Sequence, residues 1–183
     1  LQFVPDDATQ TAKLINGEAD LGTFPPISDI PTLDAGDVKV ITANSGYAEG
    51  WFFNMRDMAS PGAKDVVVRQ AIAMAIDREA INNDLLLGLF QPADTLWDGL
   101  AAYGYVSPDI ESWTYDPEGA MALLEGAGYV DSDGDGIRED ADGNPLTLVH
   151  GTTIREIRQD NQAVTQQYLR DVGIDLQIFS YDA

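Results

Sequence analysis

An α/β domain is the fold class that this 183-residue sequence predicts. Three observations predict it. Apolar residues recur at helical spacing in several stretches and alternate at strand spacing in others, and the two patterns follow one another along the chain. A hydrophobic content of 44% also supplies enough apolar material for a sizeable core.

Taken in order, residues 2–4 read as a short strand ended by Pro5-Asp6-Asp7. Asp7 is placed to cap a short helix with Ala8, Ala12 and Ile15 inward, and Gly17 stops it. Pro25, Pro26 and Pro31 predict an irregular segment with Ile30 and Leu33 packed inward. Residues 38–42 and 51–54 read as short strands. Val68, Ile72, Ala75 and Ile76 form a helical stripe over residues 66–76, against the weak propensity of the valine run that opens it. Asp77 then caps a second helix, with Ile81, Leu85 and Leu89 aligned and Gly88 near its end. Residues 92–108 are loop-like, rich in Gly, Asp and aromatics.

The most ordered stretch runs from Tyr115 to Leu148. Asp116 is a good N-cap, Pro117 suits the first helical position, and Glu118 sits near the positive end of the dipole. Ala120, Leu123, Leu124 and Ala127 make one apolar face, and Gly128 supplies the left-handed residue that ends the helix. An acidic loop follows, closed by Asn144-Pro145, and residues 146–150 read as a strand. Residues 157–172 read as a polar-faced helix with Ile157, Val164, Tyr168 and Val172 inward and Gly173 as its stop. Ile174, Leu176 and Ile178 alternate with Asp175, Gln177 and Phe179, the pattern of a half-buried strand.

Charge excludes several partners. Ten basic residues against 31 acidic ones give a net charge of −21. Nucleic acid and anionic membranes, which need a basic patch, are not expected partners. Only Lys13, Lys39 and Lys64 are lysines. Adaptation to high salt and an acidic secreted protein both fit that balance. The absence of cysteine excludes disulfides, thiolate catalysis and cysteine zinc sites. No apolar run approaches the ~18 residues of a membrane-spanning helix. Leu1-Gln2-Phe3-Val4 reads as a strand, not a signal peptide.

The acidic loop is the sharpest chemical signal. Asp131, Asp133 and Asp135 stand at positions 1, 3 and 5 of a calcium loop, Gly136 at 6, the Ile137 carbonyl at 7, Glu139 at 9 and Asp142 at 12. Asp142 has a shorter arm than the usual glutamate, and Pro145 leads into a strand where an EF-hand would place a helix. The alternatives are a single calcium site of modest strength and a solvated turn in which Asp side chains bond nearby amides. No cofactor is expected to be required, and calcium is the ion for which the loop offers a candidate site. His150, the single histidine, cannot build a multi-histidine metal site and is expected to be a satisfied structural residue.

Two blocks carry a resemblance. The first is Tyr115-Asp116-Pro117-Glu118, Leu123-Leu124, Ala127-Gly128-Tyr129 and Asp133-Gly134-Asp135-Gly136-Ile137-Arg138-Glu139-Asp140. The second is Val68-Arg69-Gln70-Ala71-Ile72 with Ala75-Ile76-Asp77-Arg78-Glu79-Ala80-Ile81. In these, with Asn16-Gly17-Glu18-Ala19-Asp20, the sequence resembles the family 5 extracellular solute-binding proteins, the peptide, dipeptide and nickel receptors of ABC importers. The resemblance implies a partial type II periplasmic-binding-protein-like lobe, a mixed sheet with flanking helices. Residues 1–50 would be the tail piece of a first lobe. Residues 51–183 would be the second, ligand-closing lobe, incomplete at its C-terminus. The bulk of the first lobe would precede Leu1, and the family's amine-anchoring acidic residue would follow Ala183.

The resemblance also implies where ligand is met. The strand holding Trp51, Phe52 and Asn54 lies near the cleft in the family, so these residues would either touch ligand or pack at the hinge. Trp97 falls in a loop of the kind that borders the cleft, with Tyr103 and Trp113 behind it. Arg69 is expected in a structural ion pair with Asp65 or Glu79.

The function so implied is the substrate-binding component of an ABC importer. It would take peptides or similar small solutes and deliver them to permease subunits in the membrane, as a monomer and with no enzymatic step. The location implied is periplasmic or extracellular, with a lipoprotein anchor among the forms open to the full-length protein. The rival is a calcium-stabilised secreted adhesion or scaffolding module, suggested by the acidic loop and opposed by its single copy. No Gly-x-Ser-x-Gly, Walker A, Gly-x-Gly-x-x-Gly or His-Glu-x-x-His motif occurs.

Overall fold

The computed structural model describes residues 1–43, 46–56, 59–99, 104 and 106–182. The N-terminal part holds α1 (Asp7–Ile15), a 3-10 turn (Ile27–Asp29) and α2 (Ile30–Ala35). Asp6, not Asp7, caps α1, accepting from the Thr9 amide at 2.7 Å. The buried residue of α1 is Thr11, whose hydroxyl donates to Asp29 at 2.6 Å, while the expected Ile15 stays exposed. The three prolines do not prevent a helix: Pro31 occupies its first turn, where no amide is needed, and Leu33 is buried as expected.

Residues 2–4, 38–42 and 51–54 were expected to be strands, and none forms a ladder. A strand is stable only beside a partner, and among the described residues no strand pairs with them. Phe3 and Ile41 are consequently exposed.

The packed body is built from α3 (Pro61–Lys64), α4 (Val66–Ala75), α5 (Arg78–Asp84), α6 (Pro117–Gly126), β1 (Thr147–Thr153), α7 (Glu156–Asp171) and β2 (Asp175–Tyr181). Asp65 caps α4 through the Val67 amide at 2.9 Å, which offsets the poor propensity of the valine run. Asp77 caps α5, but α5 ends at Asp84 because Leu87 and Gly88 turn left-handed, so Leu89 never joins its apolar face. Asp116 caps α6 through the Gly119 amide at 2.8 Å, and its own amide donates to the Met74 carbonyl at 2.8 Å. That second bond ties the start of α6 to the end of α4.

β1, α7 and β2 form a βαβ unit with the two strands parallel, Leu148 opposite Leu176 and His150 opposite Ile178. Val68, Ala71, Ile72 and Ala75 from α4 meet Ala120 and Leu124 from α6, Leu148 and Leu176 from the strands, and Leu169 from α7. A fully buried Leu such as Leu124 contributes roughly 2 kcal/mol by removal from water. The α/β class therefore holds, with the sheet among the described residues a parallel pair. The buried face of α7 differs from the expected one. It runs Gln162, Thr165, Leu169, with Val172 following, while Val164 is exposed. Gln162 can be buried because its amide donates to the carbonyls of His150 and Phe179 at 2.7 and 3.1 Å.

Arg138 holds the acidic loop to this body. Its side chain donates to the Val172 carbonyl at 2.9 Å, the Tyr129 carbonyl at 3.0 Å and Glu125 at 3.1 Å. Gly173, at φ +87°, leaves room for it: a Cβ there would lie 2.7 Å from Arg138 Cγ.

Candidate functional site

In open α/β sheets, ligands are met beyond the carboxyl ends of the parallel strands. Here those ends are Thr153 and Tyr181, tied by the Ile154 amide donating to the Tyr181 carbonyl at 3.2 Å. α7 begins at the same edge, so its first turn presents Arg158 there. The Arg158 guanidinium donates to the Thr153 hydroxyl at 2.9 Å and to Glu49 at 2.5 Å. The hydrogen bond and charge of Glu49 raise its already high pKa further. The pair is open to solvent, with side-chain exposures of 32% for Arg158 and 65% for Glu49. A guanidinium in this position is suited to a carboxylate. Half-exposed Phe179 and Tyr181 rings lie 6.2 Å apart on the neighbouring strand.

Trp51 lies against the middle of β1. Its ring packs on His150 at 4.4 Å and on Phe53 at 6.3 Å, and it belongs to the shell around the core. Phe52, by contrast, is exposed. Asn54 is exposed, and its side chain accepts from the Arg56 amide at 3.0 Å, closing a turn. Trp97 is 57% exposed on a loop clamped by Arg78, which donates to the Ala93 carbonyl at 2.6 Å, to Asp94 and to the Trp113 carbonyl. Tyr103 lies outside the described residues. The structure thus sets Trp51 against the middle of β1 and keeps Trp97 on a separate loop. Arg69 departs from its expected ion pair: it donates to the Ala63 and Lys64 carbonyls at 3.0 and 2.8 Å and lies over Phe53. Asp65 is already taken by the Val67 amide and the Tyr129 hydroxyl. His150 departs too, since its buried Nδ1 has no partner among the described residues.

Sequence reasoning missed Arg158 and Glu49. A signal existed: one of only ten cations stands in the first turn of a helix that follows a strand.

In the acidic loop, Asp131, Asp133, Asp135 and Glu139 each offer an oxygen within 4.8 Å of the others. Backbone amides share these carboxylates. Asp131 accepts from Gly134 and Gly136, Asp133 from Asp135, Asp135 from Ile137, and Glu139 from Ser132. The Ile137 side chain is buried beneath the loop. Asp142 stands outside the group, in the next turn, where its amide donates to Asp140 at 2.9 Å. Asn144 also donates to Asp140 and holds that carboxyl below its ordinary range.

Residues 1–183 match the family described as bacterial extracellular solute-binding proteins, family 5 Middle. The oligopeptide-binding protein AppA of Bacillus subtilis is 29% identical over 188 residues, covering 96% of this chain and 32% of AppA. The structure of AppA in complex with a nonapeptide superposes with a TM-score of 0.77 over 98% of this chain and 35% of its own, at 27% identity. An ABC transporter substrate-binding protein from Sinorhizobium meliloti superposes with a TM-score of 0.69 at 32% identity, over 99% of this chain and 37% of its own. The chain therefore spans about a third of the length of these relatives. They are binding proteins, and they give no support to an adhesion or scaffolding module. With a family match over the whole chain, from residue 1 to residue 183, this chain belongs to the family 5 bacterial extracellular solute-binding proteins.

Proposed function

We propose that the chain is part of the substrate-binding component of an ABC importer, taking peptides or similar small solutes and passing them to membrane permease subunits. The observation that carries this reading is the edge formed by Thr153, Tyr181, Arg158 and Glu49 at the carboxyl ends of two parallel strands, within a family of solute-binding proteins. Residues 51–183 act as one lobe and residues 1–50 as the tail of another. Closure of the two around an extended solute buries it, and the closed surface is what a permease meets. Arg158 exchanges Glu49 for a solute carboxylate. Trp51 and Trp97 serve as apolar wall, Asn54 and Tyr103 as polar contacts. The mechanism needs no covalent step. The protein acts outside the cytoplasmic membrane as a monomer; no described helix is long and apolar enough to cross a membrane. In the full-length protein, Arg158→Ala should weaken peptide binding at least tenfold with no loss of folding; unchanged affinity would remove Arg158 from the site.

A second proposal concerns the acidic loop. The convergence of Asp131, Asp133, Asp135 and Glu139 favours one calcium ion, with the Ile137 carbonyl as a further oxygen and Asp142 reached through water. The ion would stabilise the loop by linkage and take no part in transport. Calcium should raise the melting midpoint relative to chelator, and Asp133→Asn should abolish that rise. Equal midpoints in the two conditions would leave the loop a solvated turn.

A further inference from the structure

At the carboxyl ends of the strands the Arg158 guanidinium already has two acceptors. Nη2 donates to the Glu49 carboxylate at 2.5 Å and Nη1 to the Thr153 hydroxyl at 2.9 Å. A solute carboxylate that takes the place of Glu49 makes one ion pair and breaks another of the same kind. Two exposed pairs of the same chemistry differ little in free energy, so the exchange by itself adds almost nothing to affinity. It also leaves Glu49 unpaired in a chain of net charge −21. Of the two arginines at the start of α7, Arg155 and Arg158, only Arg158 pairs with Glu49 among the described residues.

The balance changes when the solute brings its own cation. Arg158 then takes the carboxylate, Glu49 takes the cation, and two ion pairs replace one. The Thr153 bond keeps the guanidinium aimed at the edge while Glu49 turns away. Glu49, with its side chain 65% exposed, has room to turn. The same edge carries an aromatic surface. The Phe179 ring lies over Gly151, where a Cβ would collide with it, and the Tyr181 ring is 6.2 Å away. The methylene stem of a basic side chain packs on such rings, and its charge is attracted to their faces. The negative field of the whole chain adds to the same preference, drawing cations and repelling anions.

We propose that Glu49 selects solutes that carry a carboxylate and a cation side by side: peptides whose C-terminal residue is lysine or arginine. This rests on the reading of the Arg158 edge as the solute site and adds the class of solute that the edge prefers. A carboxylate without the neighbouring cation must separate Glu49 from Arg158 and supplies no partner for Glu49.

Competitive retention on the immobilised full-length protein tests it, at low ionic strength, where exposed pairs are least screened. Two pentapeptide pools of identical composition and net charge are mixed in equal amounts. One ends in lysine and has norleucine at its second position; the other ends in norleucine and has lysine at its second position. Equal net charge removes the overall field of the protein from the comparison. Mass spectrometry of the retained peptides should show the lysine-ended pool enriched about threefold or more, the scale of one added exposed ion pair. Glu49→Gln should bring that ratio to about one, since only the pair to Glu49 tells the pools apart. Equal retention of the pools by the unsubstituted protein, or an enrichment that persists in Glu49→Gln, overturns the inference. Arg158→Ala separates this failure from failure of the underlying reading. If Arg158→Ala weakens retention while the unsubstituted protein holds both pools equally, the edge stands and the selectivity falls. If Arg158→Ala changes nothing, or neither pool is retained by the unsubstituted protein, both fall. The two pools on the unsubstituted protein decide the matter even if Glu49→Gln fails to fold.

Discussion

Arg138 is 8% exposed, yet it sits in the most acidic stretch of the chain, where a solvated arginine would be the natural reading. Its motif was legible from the sequence and its task was not, because its partners Tyr129, Glu125 and Val172 lie 9, 13 and 34 positions away, beyond the reach of a local pattern. Arg138→Met keeps the bulk and strands two carbonyls, so it should cost about 2–3 kcal/mol in urea unfolding. A loss below ~0.5 kcal/mol would mean that water replaces the guanidinium. Tyr129 shows the same long reach. Burial first, and then its hydrogen bond to Asp65 at 2.9 Å, push its hydroxyl up to about 12. The unfolded chain gives up that proton near 10, so stability should fall as pH rises from about 10 to 12. Tyr129→Phe should flatten that part of the stability profile, as read by denaturation at stepped pH. An unchanged alkaline slope would assign the loss to other groups.

The elements that the sequence predicted best are those whose reasons are local. The helix start at Asp116-Pro117, the stop at Gly128 and the cap at Asp77 depend on residues within a turn of one another. The three missing strands depend on partners, and a short extended stretch carries no information about whether one is there. The wrong face of α7 has a different cause. Gln162 and Thr165 are buried because their polar atoms find the carbonyls of His150, Phe179 and Asn161, which an apolarity count scores as exposure. Asp116→Ala should lower stability by about 1 kcal/mol through the lost cap. Asp116→Asn, which keeps a capping oxygen, should lose only a few tenths. Equal losses in the two variants would show that the Asp116 carboxylate charge, not the cap geometry, is what matters.

At the scale of the whole molecule, the family was legible and the proposed ligand edge was not. Two blocks of local sequence carry the resemblance, whereas Glu49 and Arg158 meet only after the chain has folded, 109 positions apart. A solute held between two lobes loses most of its buried surface when only one is present. The most direct measurement is therefore calorimetric titration of a peptide library against the full-length protein and against this chain alone. Saturable binding at micromolar or tighter affinity is expected of the full-length protein, and none of the chain. Micromolar binding by the chain alone, or no peptide bound by the full-length protein, would contradict it.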